Sequence, residues 1–245
     1  MTDISVVIPV GPDPVYLDWL PECVESVVQQ THRPLEIIVI NDGASLKLES
    51  LMGLLYAIAP IHAMETFSDR FTVCFENDNK TLLVRMYSPP WNVGVADGFN
   101  FGIALSSADL VFMLGSDDKM MPTCLEEVVR EYEKQKVEGW YNVTIVTSSG
   151  EVMTLPNNAA AVHKKLWEWT GGFPPSAGVG APDALLLSIL LRHAPHKILQ
   201  VKEGTPLCWL REHEHQDTRR NAGFFHGEVI SIRDKETTRF KPKTK

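Results

Sequence analysis

The stretch from Leu110 to Asp118 reads Leu-Val-Phe-Met-Leu-Gly-Ser-Asp-Asp and constrains the fold more than any other part of the chain. Its five leading apolar residues have the length and bulk of a strand that is buried on both faces. Because an unpaired charge in the core is too costly, Asp117 and Asp118 must lie where this strand leaves the sheet. Open α/β sheets bind ligands at that edge, and carboxylates there suit Mg2+ or Mn2+ bridging to phosphates. A polar turn before the helix that Pro122 opens explains the same acids, since Asp favours turns and helix starts.

Length and composition limit the class of protein. With 245 residues, of which 44% are hydrophobic, the chain is predicted to form one domain with a sizeable core. The net charge of −8 argues against nucleic acid as a partner. The four cysteines form no Cys-x-x-Cys pair, which favours buried thiols in a reducing compartment. The apolar runs are too short for a transmembrane segment and no signal peptide is visible, so a cytoplasmic location is expected.

The first forty residues predict a strand, a helix and a second strand. Ile4 to Val10 is a β-branched strand, and apolar residues at helical spacing follow between Leu17 and Val28. Leu35 to Ile40 is apolar throughout and ends in Asn41-Asp42-Gly43. This order implies a parallel pair with a right-handed crossover. Neither a dinucleotide fingerprint nor a P-loop is present, and Asp42 fits either a nucleotide contact or a simple turn.

The rest of the chain alternates between predicted helices and strands. Gly98 and Gly102 share one face of a helix, which predicts that a backbone or a ligand approaches that face closely. The predicted helices are Leu46–Ala63, a helix containing these glycines, Pro122–Lys136, Val162–Trp169 and Asp183–Leu191. The predicted hairpins pair Phe71–Phe75 with Leu82–Tyr87 and Tyr141–Ser148 with Glu151–Leu155, and Ile198–Val201 and Leu207–Leu210 are short strands.

Seven short motifs, each weak alone, follow one another along the chain. They are Val7-Ile8-Pro9-Val10, Ile40-Asn41-Asp42-Gly43, Asn92-x-Gly94 with Asn100-x-Gly102, Leu114-Gly115-Ser116-Asp117-Asp118, Thr170-Gly171-Gly172-Phe173, Pro182-Asp183 and Arg211-x-His213. In this order they resemble the GT-A glycosyltransferases of family 2, from about residue 4 to residue 218. The resemblance implies an α/β fold, in which helices flank a mostly parallel, Rossmann-like sheet within a single domain.

The resemblance also implies a reaction. Family members transfer a sugar from a nucleotide sugar, usually with inversion, and the expected donor here is a UDP-sugar. Mn2+ or Mg2+ would neutralise the charge that develops on the leaving diphosphate, with Asp117, Asp118 and His213 as ligands. Asp183 would be the base that takes the proton from the hydroxyl of a glycan or other acceptor. The positions expected to hold the nucleotide are Pro9, Val10, Asp42, Asn92, Gly94, Asn100, Ser116 and Asp117.

The resemblance divides the chain into regions. Residues 1–218 would form the GT-A domain, with a nucleotide-sugar half at 1–120 and an acceptor half at 140–218. Residues 219–245 would form a surface helix and a basic tail. The sequence leaves the oligomeric state open, and a homo-oligomer is compatible with it.

Two departures from the family keep other functions open. Gly115 stands where the family usually has Asp, and Pro182 stands where it usually has Glu before the base. Gly115 therefore favours an alternative, a non-catalytic module that binds a nucleotide or a sugar. A nucleotidyltransferase is a second alternative, although the Gly-rich loop that such enzymes carry after strand one is absent. His215 is a close competitor of His213 for the metal.

Overall fold

The computed structural model describes residues 2–58, 61–66, 70–77, 80–154, 159–174 and 182–216. Eleven strands within these residues form one sheet. The strands are β1 (Ile4–Val10), β2 (Glu36–Asn41), β3 (Ile61–Thr66), β4 (Arg70–Asn77), β5 (Lys80–Tyr87), β6 (Leu110–Met113), β7 (Lys119–Met120), β8 (Trp140–Thr147), β9 (Val152–Met153), β10 (Ala160–His163) and β11 (Ile198–Leu210). Their order across the sheet is β3-β4-β5-β2-β1-β6-β10-β8-β11-β7, and β9 pairs with β8.

The centre of the sheet is parallel and its flanks are mostly antiparallel. β1 lies between β2 and β6 and is parallel to both, and β2 is also parallel to β5. β10 is antiparallel to β6 and β8, while β4 is antiparallel to β3 and β5. The predicted α/β class and the predicted parallel pair of the first two strands are confirmed. The sheet as a whole is mixed, because both flanks add antiparallel strands to the parallel centre.

Helices cover both faces of the sheet. They are α1 (Val15–Val28), α2 (Leu48–Ile58), α3 (Val95–Leu105), α4 (Cys124–Gln135), α5 (Lys164–Thr170) and α6 (Pro182–His193), and a short 3-10 helix covers Pro195–Lys197. Buried side chains of α1, α2 and α4 share one apolar cluster with one face of the sheet. Those of α3, α5 and α6 share a second cluster with the other face. No helix within the described ranges is both long and apolar enough to cross a membrane.

The glycines of α3 allow this helix to lie close to β1. A Cβ atom added at Gly102 would overlap the Cγ1 atom of Val7 and lie 2.9 Å from its Cγ2 atom. A Cβ atom at Gly98 would lie 3.1 Å from Cβ of Pro9. The close approach predicted from the spacing of these glycines is therefore confirmed, and the partner is the central strand of the sheet.

Several element boundaries differ from the sequence-based predictions because strand pairing overrides local propensity. The helix predicted over Leu46–Ala63 ends at Ile58, and the edge strand β3 follows it. The helix predicted from Val162 begins at Lys164, since Ala160–His163 pairs with strands on both sides.

The two short strands predicted near the end of the domain are one strand, β11. It pairs with β8 in parallel and contains register shifts between Val201 and Cys208, near the positive-φ residues Lys202 and Gly204. The predicted hairpin of β4 and β5 is confirmed, and β8 pairs with β9 as predicted. The surface helix and tail predicted for residues 219–245 lie outside the described residues.

Candidate functional site

The carboxyl ends of the central parallel strands meet at one edge of the sheet. β5, β2, β1 and β6 are neighbours in this order, and each is parallel to the next. The loops that follow these four strands therefore lie side by side. They contain most of the predicted site residues, namely Asn92, Gly94, Asp42, Ser116, Asp117 and Asp118. This edge is where open α/β sheets bind ligands, so the fold supports the predicted location of the site.

Asp42 connects the loop after β2 to the loop after β5. Its Oδ1 atom accepts a hydrogen bond from the Val93 amide at 2.6 Å, and its Oδ2 atom accepts one from Gly94 at 2.8 Å. The Asn92 side chain donates to the Asp42 carbonyl at 2.8 Å. Burial raises the pKa of Asp42, and the two backbone hydrogen bonds oppose this shift. The structure thus brings together three predicted nucleotide-binding residues, which hold one another in place.

Asp117 and His213 form the central contact of the acidic loop. His213 Nε2 lies 2.8 Å from Asp117 Oδ2, and both side chains are largely buried. The indole of Trp19 packs on the His213 imidazole with ring centroids 4.3 Å apart. His215, the competing candidate, instead pairs with Asp13, with 3.0 Å between Nδ1 and Oδ2. The structure therefore places His213, and not His215, beside the predicted metal acid.

Asp118 is buried next to Asp117 and holds the strand end that carries His213. Its Oδ1 atom accepts a hydrogen bond from the Arg211 amide at 3.0 Å. Burial, and then the neighbouring Asp117 charge, raise the pKa of Asp118 well above its usual range, while Arg211 opposes this shift. Two carboxylates so close together in a shielded loop form an environment that a cation stabilises.

Gly115 leaves the space that these carboxylates occupy. A Cβ atom added there would lie 2.7 Å from Asp117 Oδ1 and 2.8 Å from Asp118 Oδ2. Its carbonyl accepts a hydrogen bond from the Cys23 thiol at 3.3 Å, which links the loop to α1. The departure from the usual Asp at this position therefore allows the two following acids to fold back over the glycine.

Asn100 joins α3 to the turn that ends α5. Its Oδ1 atom accepts hydrogen bonds from Trp167 Nε1 at 2.9 Å and from the Phe173 amide at 2.8 Å. Its Nδ2 atom donates to the Phe173 carbonyl at 3.0 Å and to Asp97 Oδ1 at 3.2 Å. The side-chain amide of Asn100, which is predicted to hold the nucleotide, is thus hydrogen-bonded to other parts of the protein. It also explains Gly172, where a Cβ atom would lie 2.7 Å from Asn100 Oδ1.

The remaining predicted residues occupy distinct positions. Pro9 and Val10 are buried at the end of β1, and Ser116 is 4% exposed in the acidic loop. Asp183 lies in the first turn of α6, partly buried, and follows residues 175–181, which are outside the described part of the chain. α6 is fixed to the sheet through its buried leucines, so the start of this helix is a defined position.

Sequence reasoning missed the side chains that surround Arg211. Trp19 and Glu22 lie three positions apart on α1, and both contact the Arg211 guanidinium. Trp209 lies near the end of β11, and its ring contacts the Arg211 guanidinium in the loop that follows, while the Trp19 ring contacts both Arg211 and His213. The Trp-x-Arg-x-His spacing is a signal in the sequence that groups these three residues, whereas the α1 contacts become visible only in the fold.

Residues 5–52 and 71–168 match the profile described as glycosyl transferase family 2, which is more than half of the chain. The chain belongs to glycosyltransferase family 2. The matched region contains the loops after β1, β2, β5 and β6, and therefore the whole edge of the sheet described above.

Two curated glycosyltransferases are distant relatives of the chain. An uncharacterized glycosyltransferase from Nostoc sp. is 24% identical over 175 residues, which are 67% of this chain and 47% of the relative. An uncharacterized glycosyltransferase from Rickettsia bellii is 31% identical over 123 residues, which are 50% of this chain and 14% of the relative. The chain spans less than half the length of both curated relatives.

Solved structures show the same fold. The crystal structure of residues 1–349 of S. aureus TarS in complex with UDP-GlcNAc has a TM-score of 0.69 and 13% sequence identity, covering 96% of this chain and 66% of that fragment. The mannosyltransferase PcManGT from Pyrobaculum calidifontis, in complex with GDP-Man and Mn2+, has a TM-score of 0.62 and 15% identity, covering 94% of this chain and 64% of PcManGT. The predicted GT-A fold of this family 2 protein is confirmed.

Two side chains at the acidic loop have atoms that suit a divalent ion, Asp117 and the neighbouring His213. Within the described ranges, no three His, Cys, Asp or Glu side chains are grouped so as to hold a metal. Asp117 Oδ2 and His213 Nε2, however, are 2.8 Å apart, close to the ~3 Å between adjacent ligands of an octahedral ion bound at about 2.1 Å. An oxygen and an imidazole nitrogen are a donor set that suits Mn2+. This pair therefore fits two positions of a metal site.

A separate cavity of about 310 Å3 lies away from this edge. It is lined by side chains of α5, the end of α6 and the following 3-10 helix, including Lys165, Trp169, His193 and Lys197. α5 begins directly after His163, which pairs with Leu110 at the start of β6. The cavity is therefore near the opposite edge of the sheet and contains none of the predicted site residues.

Proposed function

We propose that this family 2 protein transfers a sugar from a nucleotide sugar to an acceptor hydroxyl, with inversion and with a divalent metal ion. The observation that carries the proposal is the pairing of Asp117 with His213 at the carboxyl edge of the parallel strands. That edge is the ligand-binding edge of such sheets, and a carboxylate beside an imidazole is a suitable pair of metal ligands there. The matched family and the GT-A fold support the choice of reaction.

In this proposal Asp117 and His213 hold Mn2+ or Mg2+, which supplies positive charge to the leaving diphosphate. The structure favours these two residues over Asp118, because one Asp118 oxygen already accepts the Arg211 amide. Asp118 then shapes the loop and adds negative charge that attracts the ion. Trp19 covers the imidazole of His213 and limits the orientations it can adopt.

The donor nucleotide would lie across the loops after β2, β1 and β5. Asp42, Asn92 and Gly94 form one hydrogen-bonded unit, so they present a rigid surface to the nucleotide rather than three independent side chains. Pro9 and Val10 are buried at the end of β1, and the Val10 carbonyl accepts a hydrogen bond from the Asp42 amide at 2.9 Å. We favour a UDP-sugar, because one structural neighbour was solved with UDP-GlcNAc, and GDP-Man is the alternative that a second neighbour suggests.

Asp183 is the proposed general base. It lies in the first turn of α6, where the helix dipole favours the ionised carboxylate that can accept a proton. Asn100 contributes to the acceptor half in another way. The Nδ2 and Oδ1 atoms of its side chain both hydrogen-bond to the Phe173 backbone and so fix this turn against α3. A glycan or another molecule with a free hydroxyl would approach from this half.

The test is an assay of the purified chain against UDP-GlcNAc, UDP-glucose and GDP-mannose, with Mn2+ or with EDTA. We expect release of the nucleoside diphosphate from one donor, dependent on the metal, and transfer once an acceptor is supplied. Proton NMR of the first product then reports whether the anomeric configuration has inverted. Tight, metal-dependent binding without turnover would instead support a non-catalytic module, and release of pyrophosphate from a nucleoside triphosphate would support a nucleotidyltransferase.

A further inference from the structure

Arg211 connects the two segments that carry Asp117 and His213. Its backbone amide donates to Asp118 Oδ1 at 3.0 Å, and its side-chain Nε atom donates to the Asp117 carbonyl at 3.1 Å. Its own carbonyl accepts a hydrogen bond from the side-chain Nε2 atom of Gln216. The Oε1 atom of the same side chain accepts a hydrogen bond from the backbone amide of His213 at 3.5 Å. One residue therefore contacts the acidic loop with its backbone and side chain, and the His213 segment with its carbonyl.

The guanidinium of Arg211 is itself held from several sides. Its carbon lies 5.0 Å from the ring centroid of Trp19 and 4.8 Å from that of Trp209. Its Nη2 atom lies 3.0 Å from Glu22 Oε2, and the side chain is only 20% exposed. Lys119 pairs with the same glutamate at 3.1 Å. A planar cation that stacks on aromatic rings and donates in fixed directions has few orientations left here.

Trp19 adds a second connection between these groups. Its ring contacts both the Arg211 guanidinium and the His213 imidazole, at centroid distances of 5.0 Å and 4.3 Å. A movement of Arg211 would thus change the packing of the indole that covers His213, as well as the position of the Asp117 backbone. Arg211 and Trp19 therefore make direct contacts with the backbone of Asp117 and with the ring of His213, respectively.

We propose that Arg211 is a positioning residue, which sets the separation and orientation of Asp117 and His213 without itself binding the metal. This inference rests on the proposed function for its effect on metal binding, but its effect on the geometry can be measured in the metal-free protein. Outer groups that orient metal ligands typically change metal affinity by roughly 10- to 100-fold when removed. We expect a loss within this range, because two ligands depend on the same guanidinium.

Arg211→Lys is the main test variant, since lysine keeps the charge but loses the planar fork and its Nε donor. Arg130→Gln is the control, because Arg130 is an exposed arginine whose guanidinium pairs with Glu126 and Glu127 on its own helix, α4. Glu22→Gln is a milder variant that removes one partner of the guanidinium, and the loss of one partly exposed ion pair predicts a fall in affinity of roughly two- to fivefold.

Two measurements are made on each folded variant. Calorimetry gives the affinity for UDP with Mn2+ and with EDTA, and a crystal structure of the metal-free protein gives the Asp117–His213 separation. In Arg211→Lys we expect the Mn2+-dependent affinity to fall by roughly 10- to 100-fold. The affinity in EDTA and that of Arg130→Gln should remain within about twofold of wild type, and the 2.8 Å contact should lengthen beyond hydrogen-bonding distance.

Each other outcome contradicts a specific statement. An equal loss of UDP affinity with Mn2+ and with EDTA would mean that Arg211 binds the nucleotide directly, which overturns the positioning role. A lower melting temperature with unchanged geometry and metal-dependent affinity would show that Arg211 only stabilises the fold.

If wild-type protein bound UDP without any effect of Mn2+, the proposed function would fail, and an unchanged Asp117–His213 distance in Arg211→Lys would separately refute the positioning role. Should Arg211→Lys not fold, Glu22→Gln gives the same comparison on a smaller scale, and an unchanged metal-dependent affinity and geometry there would count against the proposal.

Discussion

His213 Nε2 lies 2.8 Å from Asp117 Oδ2, although the two residues are 96 positions apart in the sequence. The contact forms because β11 runs parallel to β8 and delivers its last residues to the same edge of the sheet as the end of β6. The short strand β7, directly after the acidic loop, pairs with β11 and fixes this arrangement. The pair therefore forms only once β11, from a distant part of the sequence, has taken its place in the sheet.

We predict that Asp117→Asn weakens metal-dependent nucleotide binding. The amide keeps the size of the side chain but removes the charge that attracts the cation, so the UDP affinity with Mn2+ should fall by at least roughly tenfold, or about 1.4 kcal/mol. Asp109→Asn is the matched control, because Asp109 is an exposed acid just before the opposite end of the same strand. Calorimetry on both variants decides the matter, and equal Mn2+-dependent affinities would remove Asp117 from the metal site.

The sequence predicted the edge of the sheet well because local patterns determine it. A buried strand that ends in two acids has few possible places in an α/β fold, and the acids do lie at the carboxyl end of β6. The pairing of β1 with β2 follows from the order of strand, helix and strand. For such elements, the spacing of hydrophobic residues and the order of elements along the chain are enough to predict where the strands lie and how they pair.

The contacts inside the site could not be predicted in the same way. Asp42 and Asn100 are predicted to hold the nucleotide, and no pattern in the sequence indicates that each also accepts hydrogen bonds from neighbouring parts of the chain. Which of His213 and His215 meets Asp117 depends on how β11 ends, and the register shifts within β11 are not visible in its sequence. Strand β10 was missed because its pairing on both sides outweighs the helical pattern that begins at Val162.

A second prediction concerns the glycines of the helices. Gly102→Ala should destabilise the protein by about 1–3 kcal/mol, because the added methyl group overlaps Val7 in a closely packed core. Gly53→Ala is the matched control within α2, where nothing lies within 4 Å of the added atom. It should stabilise the protein by about 0.4–1 kcal/mol, since alanine has the better helix propensity and a less flexible unfolded chain. Chemical denaturation measures both changes, and a Gly102→Ala protein as stable as Gly53→Ala would contradict the packing described for α3.

A third prediction follows from the buried imidazole of His163. This side chain is 3% exposed, and its Nδ1 atom accepts the Lys165 amide at 3.3 Å at the start of α5. Burial lowers the pKa of His163 from its usual 6.5, although Asp109 and Glu138 oppose the shift. Because the pKa of His163 is lower in the folded protein than in the unfolded chain, the unfolded chain binds more protons than the folded protein does as the pH falls from about 6.5. The stability that the neutral imidazole provides is therefore present above this pH and is lost as the pH falls toward the folded pKa.

His163→Asn tests this dependence. Asparagine can still accept the Lys165 amide as an N-cap residue but does not titrate. Thermal unfolding from pH 8 to pH 5 should show a smaller loss of stability in His163→Asn than in wild type, and the difference should develop below about pH 6.5. Parallel curves for the two proteins would show that His163 is not the group responsible.

The last prediction is that Asp183 is the catalytic base. Its place in the first turn of α6 has two explanations, a base for the acceptor hydroxyl or an acid that only stabilises the helix start. Under the first, Asp183→Asn should lower turnover by roughly 10²- to 10⁴-fold and leave UDP affinity unchanged, because proton transfer is lost while the donor site is intact. Under the second, the same change should cost at most about 1 kcal/mol of stability and leave turnover nearly intact. Asp18→Asn is the matched control, since Asp18 is an exposed acid in the first turn of α1. Transfer rate and UDP affinity, measured on the same preparations, separate the two explanations by orders of magnitude, and near-normal transfer by folded Asp183→Asn protein would rule out this residue as the base.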